Sequence, residues 1–378
     1  MAKDIRKQAK EIEQEAAREI SDNEPRLVRM GSGLLLFILG AAVTAIGLLA
    51  IKPAMGPPDL YAGGPDGSGA AVSNAAFTPP DVSAIPSGPE GDAIRHGMAL
   101  FNMTYAEPEA MKYVGNGMAC TNCHIDGGRR ANSAPMWSAW ISFPQYRKKN
   151  NQINTISDRI KGCFLYSMNA QNSPTGGPPP ETSSVYRDME IYFAWLAKGA
   201  PQYAKLPGGG FLDLAQPKAG YDPARGTIVY NKVCSACHGP AGQGAAQPDG
   251  TVVYPALWGP HSFNWGAGMG SVKNAAGFIK ANMPFDKPGT LSDQDAWDVA
   301  AYMDSQERPK DPRQTGTVAA NAAKNFQGST TYYGKQYNGH LLGTGVAGAP
   351  YPKVPVLTKG QGVADPAVAA MAQASQGS

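Results

Sequence analysis

Cys120-Thr121-Asn122-Cys123-His124 and Cys234-Ser235-Ala236-Cys237-His238 are two copies of one pattern, CxxCH, and together they take four of the five cysteines in the chain. In this pattern the two thiols form thioethers to the vinyl groups of a haem, and the histidine that follows swings under the ring as the proximal iron ligand. Redox CxxC pairs or half-sites of a zinc cluster use similar cysteine spacing. Neither explains a histidine directly after both pairs. The motifs therefore predict two covalently bound haem c groups, attached through Cys120, Cys123, Cys234 and Cys237, with His124 and His238 as proximal ligands.

An internal repeat surrounds the motifs. Gly97-Met98-Ala99-Leu100-Phe101-Asn102 has a counterpart in Gly226-Thr227-Ile228-Val229-Tyr230-Asn231, and each run precedes one CxxCH. Each copy also ends in a predicted amphipathic helix. In the first, Met189, Tyr192, Phe193 and Leu196 fall at helical spacing before Gly199 and Pro201; in the second, Ser292 and Asp295 start a helix whose buried stripe continues through Val299, Tyr302 and Met303. An N-terminal helix, a haem motif and a closing helix resemble a class I cytochrome c domain. The fold is thus predicted to be mainly α, with two such domains in tandem over residues 91–206 and 217–310, which a chain of 378 residues accommodates.

The flanks carry the remaining expectations. Gly31 to Ile51 contains no charge and is long enough for a transmembrane helix, assigned to residues 31–52. Lys3, Arg6, Lys7, Lys10, Arg18, Arg26 and Arg29 precede it, so residues 1–30 are placed in the cytoplasm and the haem domains in the periplasm of a single-pass inner-membrane protein. A cleavable signal peptide is the alternative. Residues 53–90 read as a Pro/Gly-rich linker, and 311–378 as an irregular extension that either trails freely or wraps the haem domains or a neighbouring subunit with Tyr332, Tyr333 and Tyr337 as anchors. With 33 basic against 30 acidic side chains, net charge +3, and no basic block, nucleic acid is excluded as a partner.

A distal ligand separates electron carriers from reactive centres. For the second haem, Met283 in Asn282-Met283-Pro284-Phe285 is the candidate, with Met269 as runner-up. For the first, Cys163 is the only cysteine outside the motifs. On a predicted helix from Ile156 to Met168 it shares a face with Arg159 and Ser167, while Ile156, Ile160 and Phe164 form an apolar stripe. Cys163 reads either as an inert buried thiol or, with a cation one turn away, as a thiolate used in ligation or catalysis.

The runs Cys123-His124-Ile125-Asp126-Gly127-Gly128, Phe143-Pro144-Gln145-Tyr146-Arg147, Arg159-Ile160-Lys161-Gly162-Cys163 and Ser167-Met168-Asn169 resemble the dihaem thiosulfate dehydrogenases. That resemblance covers roughly residues 90–310. It implies that Cys163 is the distal ligand of a catalytic haem, that Met283 serves an electron-transfer haem, and that Cys163, Arg159 and Ser167 are catalytic. It further implies oxidation of thiosulfate to tetrathionate, or the reverse, with Arg159 holding the sulfonate and Arg147 or Lys149 adding positive charge. Asn282 stands where the family usually has a basic residue, and the nearest lysine is Lys280.

Two functions follow as expectations. One is a membrane-anchored enzyme that oxidises thiosulfate at haem 1 and passes electrons through haem 2. The other is a non-catalytic electron-transfer subunit of a respiratory or photosynthetic complex. Either delivers electrons to a redox partner such as a terminal oxidase, a bc-type complex, a reaction centre or a soluble cytochrome, and either sits against the inner-membrane lipid bilayer.

Overall fold

The computed structural model describes residues 77–147, 152–246 and 252–346. The expected cytoplasmic segment, the expected transmembrane helix over 31–52 and the linker up to residue 76 lie outside the described residues. Among the described residues, no helix is long and apolar enough to cross a membrane.

The described chain is mainly helical. Its first half carries α1 (Pro89–Asn102), α2 (Met136–Ser142), α3 (Ile156–Gly162) and α4 (Ser184–Leu196). Pro89 opens α1 with its ring preset for the first turn, and Glu90 and Asp92 there complement the helix dipole. The α4 stripe is buried as its spacing requires: Met189, Tyr192 and Leu196 are inaccessible, and all three pack with Leu100, Phe101 and Trp137 in one apolar core. Each such side chain contributes roughly 1.5–3 kcal/mol by leaving water.

The second half repeats the plan with α5 (Pro223–Val229), α6 (Val272–Asn282) and α7 (Asp293–Asp304). Ser292 caps α7 by accepting from the Asp295 amide. Tyr230, Val272, Ala276, Trp297, Val299 and Met303 build a second core. Ile125, the residue after the first haem histidine, belongs to this second core rather than the first, so the two halves meet beside the first motif.

In both halves the repeat glycine sits where two helices cross. A Cβ on Gly97 would stand 2.0 Å from the Asp188 carbonyl oxygen of α4, and one on Gly226 would stand 2.0 Å from that of Asp298 in α7. Close crossing, rather than flexibility, is what these glycines provide.

Two expectations need correction. The helix foreseen from Ile156 to Met168 is not continuous: α3 stops at Gly162, and Cys163–Ser167 forms one wider π-helical turn in which the Met168 amide donates to the Cys163 carbonyl at 2.9 Å. The extension after residue 310 is not irregular throughout. It holds α8 (Val318–Asn325) and a hairpin pairing Gln336–Tyr337 with His340–Leu341. Its small core consists of Val318, Tyr333 and Leu342 around Trp265, which the second half supplies. That loan explains why the extension's own sequence shows no core. Glu307 fastens it further, accepting from the Trp265 indole, the Gly343 and Gly345 amides and His340.

Candidate active site

The first CxxCH occupies a tight turn at Cys120–Asn122. Asn122 Oδ1 accepts from the Ala119 amide at 2.7 Å, and the Thr104 hydroxyl accepts from the Cys120 amide at 3.2 Å while lying 3.4 Å from its Sγ. His124 Nδ1 lies 2.7 Å from the Ala134 carbonyl oxygen. A carbonyl only accepts, so Nδ1 carries the proton and Nε2 keeps its lone pair for a metal. The second motif repeats the device, with His238 Nδ1 at 3.0 Å from the Pro255 carbonyl oxygen. Sequence reasoning missed Thr104, Ala134 and Pro255. A backbone acceptor leaves no mark in residue identity, and the Thr104 contact spans a 16-residue separation.

Cys120, His124, Arg159 and Cys163 line one cavity with Phe101, Met189 and Phe193 among its apolar walls; its empty volume, including space open to solvent, is about 680 Å³. Thiols, a free imidazole nitrogen and a greasy wall suit a haem covalently held at this turn. Burial alone pushes the Cys163 thiol up. The Arg159 charge opposes that burial and favours the thiolate. Cys120 and Cys123 carry the thioether links to haem and have no thiol to titrate, so Cys163 is the free thiol beside Arg159 in this cavity. Burial, and then Arg159, hold Arg147 below the usual arginine range, and Arg147 is not among the residues that line the cavity. Lys149 lies outside the described residues.

Of the three residues expected on one face, Arg159 and Cys163 line the cavity and Ser167 is not among the lining residues. A turn bonded from i to i+5 holds more than 3.6 residues, so four-residue spacing beyond Cys163 no longer returns to the same face. The Ser167 carbonyl accepts from Asn116 Nδ2 at 2.8 Å. Met168 is buried in the first core.

Around the second motif, Cys234 is half-buried and Cys237 exposed. Met283 follows directly on α6, and both it and Met269 pack against the second core. Asn282 is fully buried; its Nδ2 donates to the Phe278 carbonyl at 3.0 Å and, across the two halves, to the Asn132 carbonyl at 3.2 Å. Lys280 is turned to Asp293 at 2.9 Å and the Leu291 carbonyl at 2.6 Å.

Away from the haem motifs, His96, Glu109 and Asp188 gather within metal-ligand range. The imidazole faces the two carboxylates through opposite nitrogens, Nδ1 toward Asp188 at 3.3 Å and Nε2 toward Glu109 at 3.9 Å, and Arg187 takes the other Asp188 oxygen at 2.8 Å. That is the geometry of an ion-pair network.

Comparisons with known proteins place the chain among c-type cytochromes. Residues 222–303 match the family model for cytochrome c oxidase, cbb3-type, subunit III. A thiosulfate dehydrogenase of Thiomonas intermedia (strain K12) is 45% identical over 321 residues, covering 85% of this chain and 97% of that protein. One from Stutzerimonas stutzeri (strain A1501) is 45% identical over 281 residues, covering 74% of this chain and 89% of that protein. The solved structure of thiosulfate dehydrogenase (TsdBA) from Marichromatium purpuratum, in its as-isolated form, superposes with a TM-score of 0.69 at 45% identity over 72% of this chain; the match spans 58% of that longer chain. These likenesses identify a c-type cytochrome with two covalently bound haem c groups.

They also correct the expected localisation. The thiosulfate dehydrogenase relatives align with this chain over 97% and 89% of their own lengths. Among the described residues no helix is long and apolar enough to cross a membrane, and the single-pass inner-membrane placement is not carried forward; residues 31–52 lie outside the described residues. That placement rested on an uncharged run of suitable length preceded by a basic flank, features that a cleavable signal peptide shares.

Proposed function

The chain belongs to the thiosulfate dehydrogenase family, and from that premise we propose that it oxidises two thiosulfates to tetrathionate beside the haem held by Cys120, Cys123 and His124. The electrons then leave through the haem held by Cys234, Cys237 and His238, with Met283 as its distal ligand, to a redox cytochrome partner. The observation that carries this reading is that Cys163 lines the first cavity together with Arg159 and His124.

Each residue has a stated task. Arg159, which lines the cavity, holds a thiosulfate sulfonate by charge-assisted hydrogen bonds, and Arg147 adds positive charge. The Cys163 thiolate would be a ligand for that haem's iron at rest, and it takes the outer sulfur of one thiosulfate into a sulfur–sulfur bond, giving Cys–S–S–SO₃⁻ and releasing two electrons. The outer sulfur of a second thiosulfate attacks the sulfane sulfur, tetrathionate departs, and the Cys163 thiolate returns. Charges balance in both steps. Bound haem accepts the electrons that the first step releases. Ser167 has no place in this sequence that its position supports, and its expected catalytic role is left to the carbonyl contact with Asn116.

The decisive experiment mixes oxidised protein with thiosulfate under anaerobic conditions and follows the haem absorption bands and tetrathionate formation. Haem reduction with tetrathionate produced in a ratio of one per two electrons is expected. Haem that stays oxidised while Cys163 is intact would overturn the reading, and would leave the non-catalytic electron carrier in its place.

A further inference from the structure

The wide turn that carries Cys163 ends with carbonyls that no following helix can satisfy, because α3 does not continue past it. Their partners come from elsewhere. Asn116 Nδ2 takes the Ser167 carbonyl at 2.8 Å, and the Gly115 amide takes that of Met168 at 2.8 Å. The other two are claimed by a single residue of the second half, Asn264. Its Nδ2 donates to the Leu165 carbonyl at 2.9 Å and to Asn169 Oδ1 at 3.3 Å, and its backbone amide donates to the Tyr166 carbonyl at 3.1 Å.

Asn264 is fully buried, and its own loop fixes its orientation, since its Oδ1 accepts from the Gly266 amide at 3.0 Å. The neighbouring Phe263 belongs to the second core. Gly266 leaves room for Tyr166: a Cβ there would stand 2.4 Å from the Tyr166 ring. Arg313, from the extension, lies 5.0 Å over the same ring. The turn bearing Cys163 is thus gripped at its carbonyls and at its aromatic side chain by parts of the chain that belong with the second haem motif.

We propose that Asn264 is a positioning residue for Cys163: the half of the protein carrying the second haem motif sets the placement of the thiolate beside the first. This rests on the reading that Cys163 faces the first iron. The turn must hold the sulfur in place at rest and yield when the sulfur changes partner, and Asn264 sets how readily it yields.

The test uses Asn264→Asp, which keeps the acceptor bonded to Gly266 and removes the donor to Leu165. Electron paramagnetic resonance of the oxidised holoprotein reads the distal ligand, and iodoacetamide labelling followed by mass spectrometry reads the thiol, since Cys163 is the only cysteine outside the haem motifs. The variant is expected to lose part of the thiolate-ligated low-spin signal, leave the second haem's signal and potential unchanged, and label about tenfold faster, as loss of a buried hydrogen bond permits. A wild-type signal with labelling unchanged within about twofold would refute the proposal. If wild-type protein itself lacks the thiolate signal, the ligand reading fails, and the labelling rate still decides the clamp. Should Asn264→Asp not fold, Gly266→Ala pushes on Tyr166 with Asn264 retained. It is expected to shift both readouts the same way, and no shift overturns the proposal.

Discussion

Gly226 lies against the backbone of Asp298 so closely that a single added carbon would stand 2.0 Å from its carbonyl oxygen. The Asp298 carboxylate is itself buried and accepts from the Asp222 amide at 2.7 Å, from Arg225 Nε at 2.7 Å and from Gln294 at 3.1 Å, so α7 cannot slide away. Gly226→Ala is therefore expected to cost about 3 kcal/mol through forced separation of α5 and α7. A drop in the denaturant midpoint checks it, and an unchanged midpoint would show that the crossing relaxes freely.

Cys163→Ala removes the group that carries sulfur–sulfur chemistry in the proposed cycle. Steady-state turnover with thiosulfate should fall by at least about a thousandfold, while the haem content per chain stays constant. Retention of wild-type turnover would exclude Cys163 from the reaction.

Arg159→Gln separates charge from shape at the same cavity. The sulfonate loses its cation and Cys163 loses the charge that counters its burial, so KM for thiosulfate should rise about tenfold or more with kcat also reduced. Initial-rate kinetics across thiosulfate concentration distinguish this from a purely structural loss, which lowers only the amount of active protein.

Met283→Ala addresses the second haem alone. A thioether ligand raises haem potential, so its removal should lower the potential of one haem and leave the other where it was. Spectroelectrochemical titration resolves the two. A variant with both potentials unchanged would return the distal role to Met269, which also packs on the second core.

Asp304 gives a pH prediction with a definite sign. Burial raises its carboxyl to about 7 from an ordinary 3.8, against the opposing pull of Arg308, which lies 3.3 Å away with both side chains inaccessible. The folded state then binds this proton more tightly than the unfolded chain does. The group's contribution to stability is highest below pH 4 and declines as pH rises toward 7. Asp304→Asn should flatten this part of the thermal midpoint profile, narrowing the difference between pH 4 and pH 7 by on the order of 5 °C. Parallel profiles for the two proteins would dismiss the effect.

Reading the chain residue by residue went far where chemistry is local. The CxxCH pairs, the helical stripe ending at Leu196 and the cap at Ser292 each lie within a few residues of what they specify, and the structure has these helices with their stripes inside. Where contacts join distant segments, the same reading stopped short. Nothing in Asp311 to Val346 announces a core, because Trp265 provides it from outside the extension. Nothing near Cys163 announces that its helix changes pitch, because the carbonyls so exposed are satisfied by Asn116 and Asn264. The uncharged run at residues 31–52, read with its basic flank as a membrane anchor, lies outside the described residues.

By itself, then, the amino-acid sequence determined which residues can bind haem c, that they occur twice, and that an odd cysteine with an arginine one turn before it stands apart from them. Only the tertiary structure decided which carbonyls orient His124 and His238, that Arg159 and Cys163 share a cavity that Ser167 does not line, and that the turn beneath Cys163 is held by a residue 99 positions from Leu165. The physical reason is the same in each case: side-chain chemistry is written in residue type, whereas backbone acceptors are common to every residue and acquire meaning only when folding brings a donor to them.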